Sequence, residues 1–111
     1  MSIRRWNPAA DSNQLAVMQA LRDAGALVWR LNEPSLPDLL VGFHGRWVLL
    51  EVKKPLGAKG GAKGSVLTPS QEKFFKVAMQ GRLPAYIVRT AEAAMVAIGL
   101  VVSQEEGEEN A

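Results

Sequence analysis

The sequence predicts an α/β domain in which a mixed β-sheet is flanked by helices, in the order α-β-β-β-α-β-α. Three observations lead there. Two apolar, β-rich runs, Asp38 to Phe43 and Arg46 to Lys53, are separated by His44-Gly45, the spacing of a tight hairpin. A helix signalled by Thr68-Pro69 follows the second run, and another β-rich run, Pro84 to Arg89, follows that helix. The crossover from Lys53 to Pro84 is long enough to lay the last strand parallel to the third.

The first helix is capped by Asp11 or Ser12 and runs to about Asp23. Leu15, Met18 and Leu21 recur near helical spacing, Gly25 suits the left-handed stop, and Asn13, Gln14 and Arg22 are expected on the opposite side. Ala26 to Leu31 reads as a strand with unequal faces because of Trp29 and Arg30, and Asn32-Glu33-Pro34-Ser35 breaks it. Within the hairpin, Trp47-Val48-Leu49-Leu50 is apolar on both faces, which places that arm inside its sheet rather than at an edge. Lys54 to Val66 holds four glycines and three lysines and reads as a mobile basic loop. The second helix runs from Pro69 to about Gln80, ends at Gly81, and is expected to turn Phe74, Phe75 and Val77 inward. Thr90 caps a last helix reaching Ile98, and Leu100-Val101-Val102 extends it or pairs elsewhere.

At 111 residues the chain fits one domain with one site. Its globular part is expected over 1–103. Residues 104–111, carrying Glu105, Glu106, Glu108 and Glu109, are expected to form a disordered acidic tail. Without that tail a net charge of +2 becomes +6, which suits a polyphosphate partner as well as it suits plain solubility. No cysteine and a single histidine, His44, exclude a disulfide framework and the usual zinc sites, leaving carboxylate oxygens as metal ligands. No long apolar stretch or secretory segment is present, so a cytoplasmic location is expected.

Pro37-Asp38 and Glu51-Val52-Lys53 carry the chemistry. Alternation along a strand puts Glu51 and Lys53 on one side and Val52 on the other. If Asp38 opens the first arm of the hairpin, its carboxylate approaches that of Glu51, and two close carboxylates repel unless a hard cation lies between them. Each residue has a plainer explanation. Asp38 after proline suits a turn, and Glu51 with Lys53 suits a surface ion pair worth about 0 to 1 kcal/mol. That second explanation weakens at the end of a strand apolar on both faces, where solvated pairs are unusual.

Asp38 followed by Glu51-x-Lys53 on a hairpin resembles the PD-(D/E)xK nuclease superfamily, and the chain is similar to its VRR-NUC branch. Leu36-Pro37-Asp38-Leu39-Leu40, Leu50-Glu51-Val52-Lys53-Lys54-Pro55 and Leu67-Thr68-Pro69-Ser70-Gln71-Glu72 carry the likeness, which extends from about Asn13 to Ile98. It implies a restriction-endonuclease-like core. By the same resemblance, Asp38, Glu51 and the Val52 carbonyl would hold Mg²⁺ or Mn²⁺, and Lys53 would position the attacking water or stabilise the transition-state charge. Gln71 matches the family's glutamine after the ExK strand. Gln14 stands where relatives commonly carry a glutamate on the first helix; an amide brings no charge there, and Gln19 or Asn13 is a weaker alternative. Lys54, Lys59 and Lys63 are candidates for DNA backbone contact, with Arg30 and Asn32 as further candidates. Trp6, Trp29 and Trp47 are too scattered in sequence for a stacking platform and suit core or dimer packing.

The resemblance implies a bacterial or phage Mg²⁺-dependent endodeoxyribonuclease of DNA repair or recombination, resolving Holliday junctions as a homodimer, since paired cuts need two sites. The last helix with Leu100-Val101-Val102 offers an apolar surface for the pairing. Two alternatives remain beside it: a nuclease acting on flaps, ends or other DNA structures, and a non-catalytic DNA-binding module with a decayed site.

Overall fold

The strand that holds the molecule together is the one apolar on both sides. In the computed structural model, which describes residues 12–55 and 66–99, the elements follow the expected order: α1 Ser12–Asp23, β1 Leu27–Arg30, β2 Leu39–Phe43, β3 Arg46–Val52, α2 Pro69–Gln80, β4 Ala85–Val88 and α3 Ala91–Ala97. They form a four-stranded sheet in the order β1-β2-β3-β4, so β3 is interior. β1, β2 and β3 are antiparallel neighbours, and β4 joins β3 in parallel after the α2 crossover. His44 and Gly45 turn the hairpin with φ of 49° and 81°, the double left-handed geometry whose twist matches the flanking strands. His44 stacks on Phe43 at that turn, the end of the hairpin away from Asp38.

The two faces of the sheet are covered unequally. Val28, Leu39, Val41, Val48, Leu50, Val52 and Val88 point to one face, where Val17, Met18 and Leu21 of α1 and Ala94 and Ile98 of α3 close over them. Leu21, Leu39 and Leu50 are fully enclosed, and each such burial stabilises by about 1.5–3 kcal/mol. Among the described residues, the helix on the other face is α2, packed mainly against β4, and its one fully buried residue is Ala78.

Two expectations about helix faces are corrected here. Leu15 is exposed, and the buried stripe of α1 is Gln14, Val17, Met18 and Leu21. The i, i+3, i+4, i+7 set starting at Gln14 takes in Val17, Met18 and Leu21, whereas the set starting at Leu15 takes in Gln19 and Arg22, and the sheet selects the former. On α2, Phe74 and Phe75 are half-buried, but Val77 is exposed, because a helix packed mainly against an edge strand has a narrow buried stripe. Among the described residues no helix is long and apolar enough to cross a membrane. Trp6, Lys59, Lys63, the glycine-lysine loop, Leu100-Val101-Val102 and the acidic tail lie outside the described residues.

Candidate active site

The site grows from the point where the β2–β3 ladder runs out. Its last pair is Leu39 with Leu50, and one step further Asp38 faces Glu51 across the hairpin. There the Asp38 side chain takes over as acceptor: its Oδ2 receives the Val52 N–H at 2.8 Å. A buried backbone donor at a strand end needs such a partner, and proline before Asp38 favours the extended geometry of a strand entry. Val52 itself is buried and closes β3.

Glu51 and Lys53 share one face, as alternation requires, and both are enclosed: Glu51 is 2 % exposed and Lys53 7 %. Lys53 Nζ lies 3.2 Å from Glu51 Oε2. Gln71 joins the pair, its Nε2 donating to Glu51 Oε2 at 3.0 Å and its Oε1 accepting from Lys53 Nζ at 3.0 Å. Local sequence explains why Gln71 arrives there. Thr68 caps α2 with Pro69 next, the Thr68 hydroxyl accepts from the Gln71 N–H at 3.2 Å, and Gln71 Oε1 accepts from the Thr68 N–H at 2.9 Å. This reciprocal capping box fixes the rotation of the first turn and aims the amide at the strand end. Glu51 Oε1, by contrast, is buried with no well-formed hydrogen bond among the described residues, the Asp38 backbone N–H exerting only a weak pull on this carboxyl. Burial pushes the Glu51 carboxyl up to about 7, the Asp38 charge adds to the push, and the Lys53 ammonium opposes it.

Behind Lys53 the backbone is tied down from two sides. Asn13 Nδ2 donates to the Lys53 carbonyl at 2.8 Å and to the Arg89 carbonyl at 3.1 Å, while the Arg89 guanidinium donates to the Lys54 carbonyl at 2.8 Å. The first turn of α1 therefore clips the ends of β3 and β4 together, beside the Lys53 N–H to Val88 carbonyl bond.

The structure thus brings together Asp38, Glu51, Val52, Lys53 and Gln71. Gln14 is buried on the sheet-facing side of α1, next to Asn13, rather than on the far side. Gln19 is exposed and donates to Asp23. Asn32 lines a small cleft of about 200 Å³ together with Leu31, Leu36, Asp38 and Gln71. Arg30 pairs with Leu39, whose side chain enters the core, so Arg30 projects from the face opposite Asp38 and leaves the site. Lys54 is half-buried beside Lys53. Sequence reading missed Asn13 and Arg89 as clips, for which no spacing signal exists. Thr68 is a different matter, because Thr-x-x-Gln is itself the capping-box signature.

Two carboxylates, one of them with a buried open oxygen, fit a hard cation that keeps several of its waters. Among the described residues no group of three or more His, Cys, Asp or Glu side chains converges, so any such ion would rely on Asp38, Glu51, backbone oxygen and water. Comparison of the chain with protein-family models, with curated proteins and with solved structures returns no match.

Proposed function

We propose that the chain is a Mg²⁺-dependent endodeoxyribonuclease of the VRR-NUC type, hydrolysing phosphodiester bonds in branched DNA. The observation that carries the reading is the Glu51 carboxylate. It is almost fully enclosed, bound on one oxygen by Lys53 and Gln71, short of donors on the other among the described residues, and opposite Asp38. Buried carboxylate oxygens are ordinarily well hydrogen-bonded, and one short of donors beside a second carboxylate suits a bound cation.

Asp38 and Glu51 would hold the ion, with the Val52 carbonyl as a further oxygen. Mg²⁺, or Mn²⁺ in its place, supplies a more acidic bound water and a positive charge against the pentacoordinate phosphorus. Lys53 is the positioning and charge-stabilising group. Of the three donors of its ammonium, one goes to Glu51 and one to Gln71, and the third is left for an incoming water or a phosphate oxygen. Gln71 holds acid and amine at fixed separation, so little reorganisation is needed when substrate arrives. Lys54, with Lys59 and Lys63 following it in the sequence, would add positive charge for the backbone of the DNA. Cutting both strands of a four-way junction requires two copies of this site, hence a homodimer if junctions are the substrate.

A panel of four-way junction, flap, single-stranded and duplex DNA, incubated with Mg²⁺ and with a chelator, tests the reading. Wild type should cleave at least one branched substrate in a chelator-sensitive way. Asp38→Asn and Lys53→Ala should lose about a hundredfold or more of that rate while keeping DNA binding. Binding without cleavage under any divalent metal would instead mark a DNA-binding module with a decayed site.

A further inference from the structure

The face of the sheet that carries the carboxylates also carries two exposed indoles. Strand register fixes this. Trp29 is opposite Leu40, Leu40 is opposite Leu49, and Asp38 and Glu51 lie two residues from these on β2 and β3, so all share one side. One strand spacing and two residues separate Trp29 from Asp38, about 8 Å between their Cα atoms. Trp29 is 60 % exposed and Trp47 54 %. The Trp47 ring lies close over Gly42, where an added Cβ would come within 2.8 Å of it, and about half of the residue remains exposed. Between the carboxylates and the hairpin turn this face holds Leu27, Trp29, Leu40, Gly42, Trp47 and Leu49, none of them charged.

We infer that Trp29, with Trp47 beyond it, is a stacking platform for unpaired nucleotides next to the cut phosphate. The inference rests on the nuclease reading for the direction in which DNA runs. A phosphodiester held at Asp38 and Glu51 must lay its neighbouring nucleotides over this face. An intact duplex presents phosphates and sugars there, which can take at most one N–H hydrogen bond from an indole and no ring-on-ring contact. A base freed from its stack gains a π-face contact, the recurring way in which proteins hold single strands. The small cleft lined by Leu31, Leu36, Asp38 and Gln71 opens beside the same carboxylate. Sequence spacing hid this, since Trp29 and Trp47 are far apart along the chain and meet on one face only through the register.

The test is binding rather than cleavage, measured with the full chain in chelator. Trp29→Ala and Trp29→Phe are titrated with a fluorescent single-stranded oligothymidine and with a blunt duplex of equal length, at one stated salt concentration. Trp29→Ala should weaken single-strand binding roughly 5- to 100-fold and leave duplex binding within twofold, and Trp29→Phe should retain most of the affinity. A Trp6→Phe/Trp47→Phe protein, with Trp29 as its remaining tryptophan, should be quenched by the oligothymidine, a readout that needs no change at Trp29 itself. Unchanged single-strand affinity in Trp29→Ala, or no quenching, overturns the platform. So does sedimentation showing a wild-type dimer that Trp29→Ala dissociates, since a second copy would then own this face. Chelator-sensitive cleavage that persists with any of these results sinks the platform alone and leaves the nuclease reading standing.

Discussion

Replacing Glu51 by Gln should flatten the dependence of stability on pH, and the size of the effect can be worked out. In the folded chain the Glu51 carboxyl is pushed from 4.5 up to about 7, first by burial and then by Asp38. Between those values the folded state keeps a proton that the unfolded state has released. Stability from this group is therefore fully present below about pH 4.5 and is lost as pH rises through about 7. A gap of that width corresponds to about 3 kcal/mol. For a chain of this length, such a loss lowers Tm by on the order of 10 °C. Thermal unfolding followed by circular dichroism from pH 4.5 to 8.5, without divalent metal, gives the slope for each protein. The variant loses the charge partner of Lys53, so its absolute stability shifts as well; the comparison is of slopes. Wild type should fall across the window and Glu51→Gln should not. Added Mg²⁺ at pH 8 should raise the Tm of wild type and leave the variant where it is, because only the ionised carboxylate gains from the cation. Equal slopes in the two proteins would refute the claim that Glu51 is held strained in its ionised form.

Further outcomes follow from other contacts. Thr68→Ala removes the hydroxyl that caps α2 and should lower stability by about 0.5–2 kcal/mol; because the turn that aims Gln71 then keeps one of its two reciprocal bonds, the Thr68 N–H to Gln71 Oε1 contact, kcat on the best DNA substrate of the proposed nuclease should fall only a few-fold with KM nearly unchanged. Asn13→Ala leaves the Lys53 and Arg89 carbonyls without their shared donor and should cost about 1–3 kcal/mol, read by urea denaturation; Asn13→Asp, which cannot donate from either oxygen when ionised, should be at least as damaging. Leu50→Ala opens a cavity in the fully enclosed centre of β3 and should cost about 2–5 kcal/mol, with the midpoint of denaturation moving and its slope unchanged.

The order of elements and their approximate limits were legible because the hairpin, the Thr68-Pro69 start and the parallel crossover each leave a local mark. Faces were harder. On α1, polar Gln14 and apolar Leu15 compete for the inward position, and only the requirement to seat Val17 and Leu21 on the sheet decides between them. Val77 looks like a core residue by composition and is exposed because α2 lies along the edge of the sheet, against β4, and reaches β3 through Gln71 in its first turn. In the site, the approach of Asp38 to Glu51 and the shared face of Glu51 and Lys53 follow from strand alternation and hairpin register. The clip made by Asn13 and Arg89 does not, since it depends on where three chain segments end relative to one another. Arg30 illustrates the same limit: a one-residue choice of register decides which side of the sheet a cation serves.

A side-chain amide has two ends, and those of Gln71 cannot be exchanged. Its oxygen receives hydrogens from Thr68 and Lys53, and its nitrogen gives one to Glu51. Turned end for end, the amide would set NH₂ against two donors and oxygen against a carboxylate, converting three attractions into three repulsions. Neither an acid nor a base at this position could serve both neighbours, so a neutral group acts as arbiter between opposite charges. The same atoms anchor the opening of a helix, and the helix therefore cannot slide or rotate along the sheet without breaking the contacts that join Gln71 to Glu51 and Lys53.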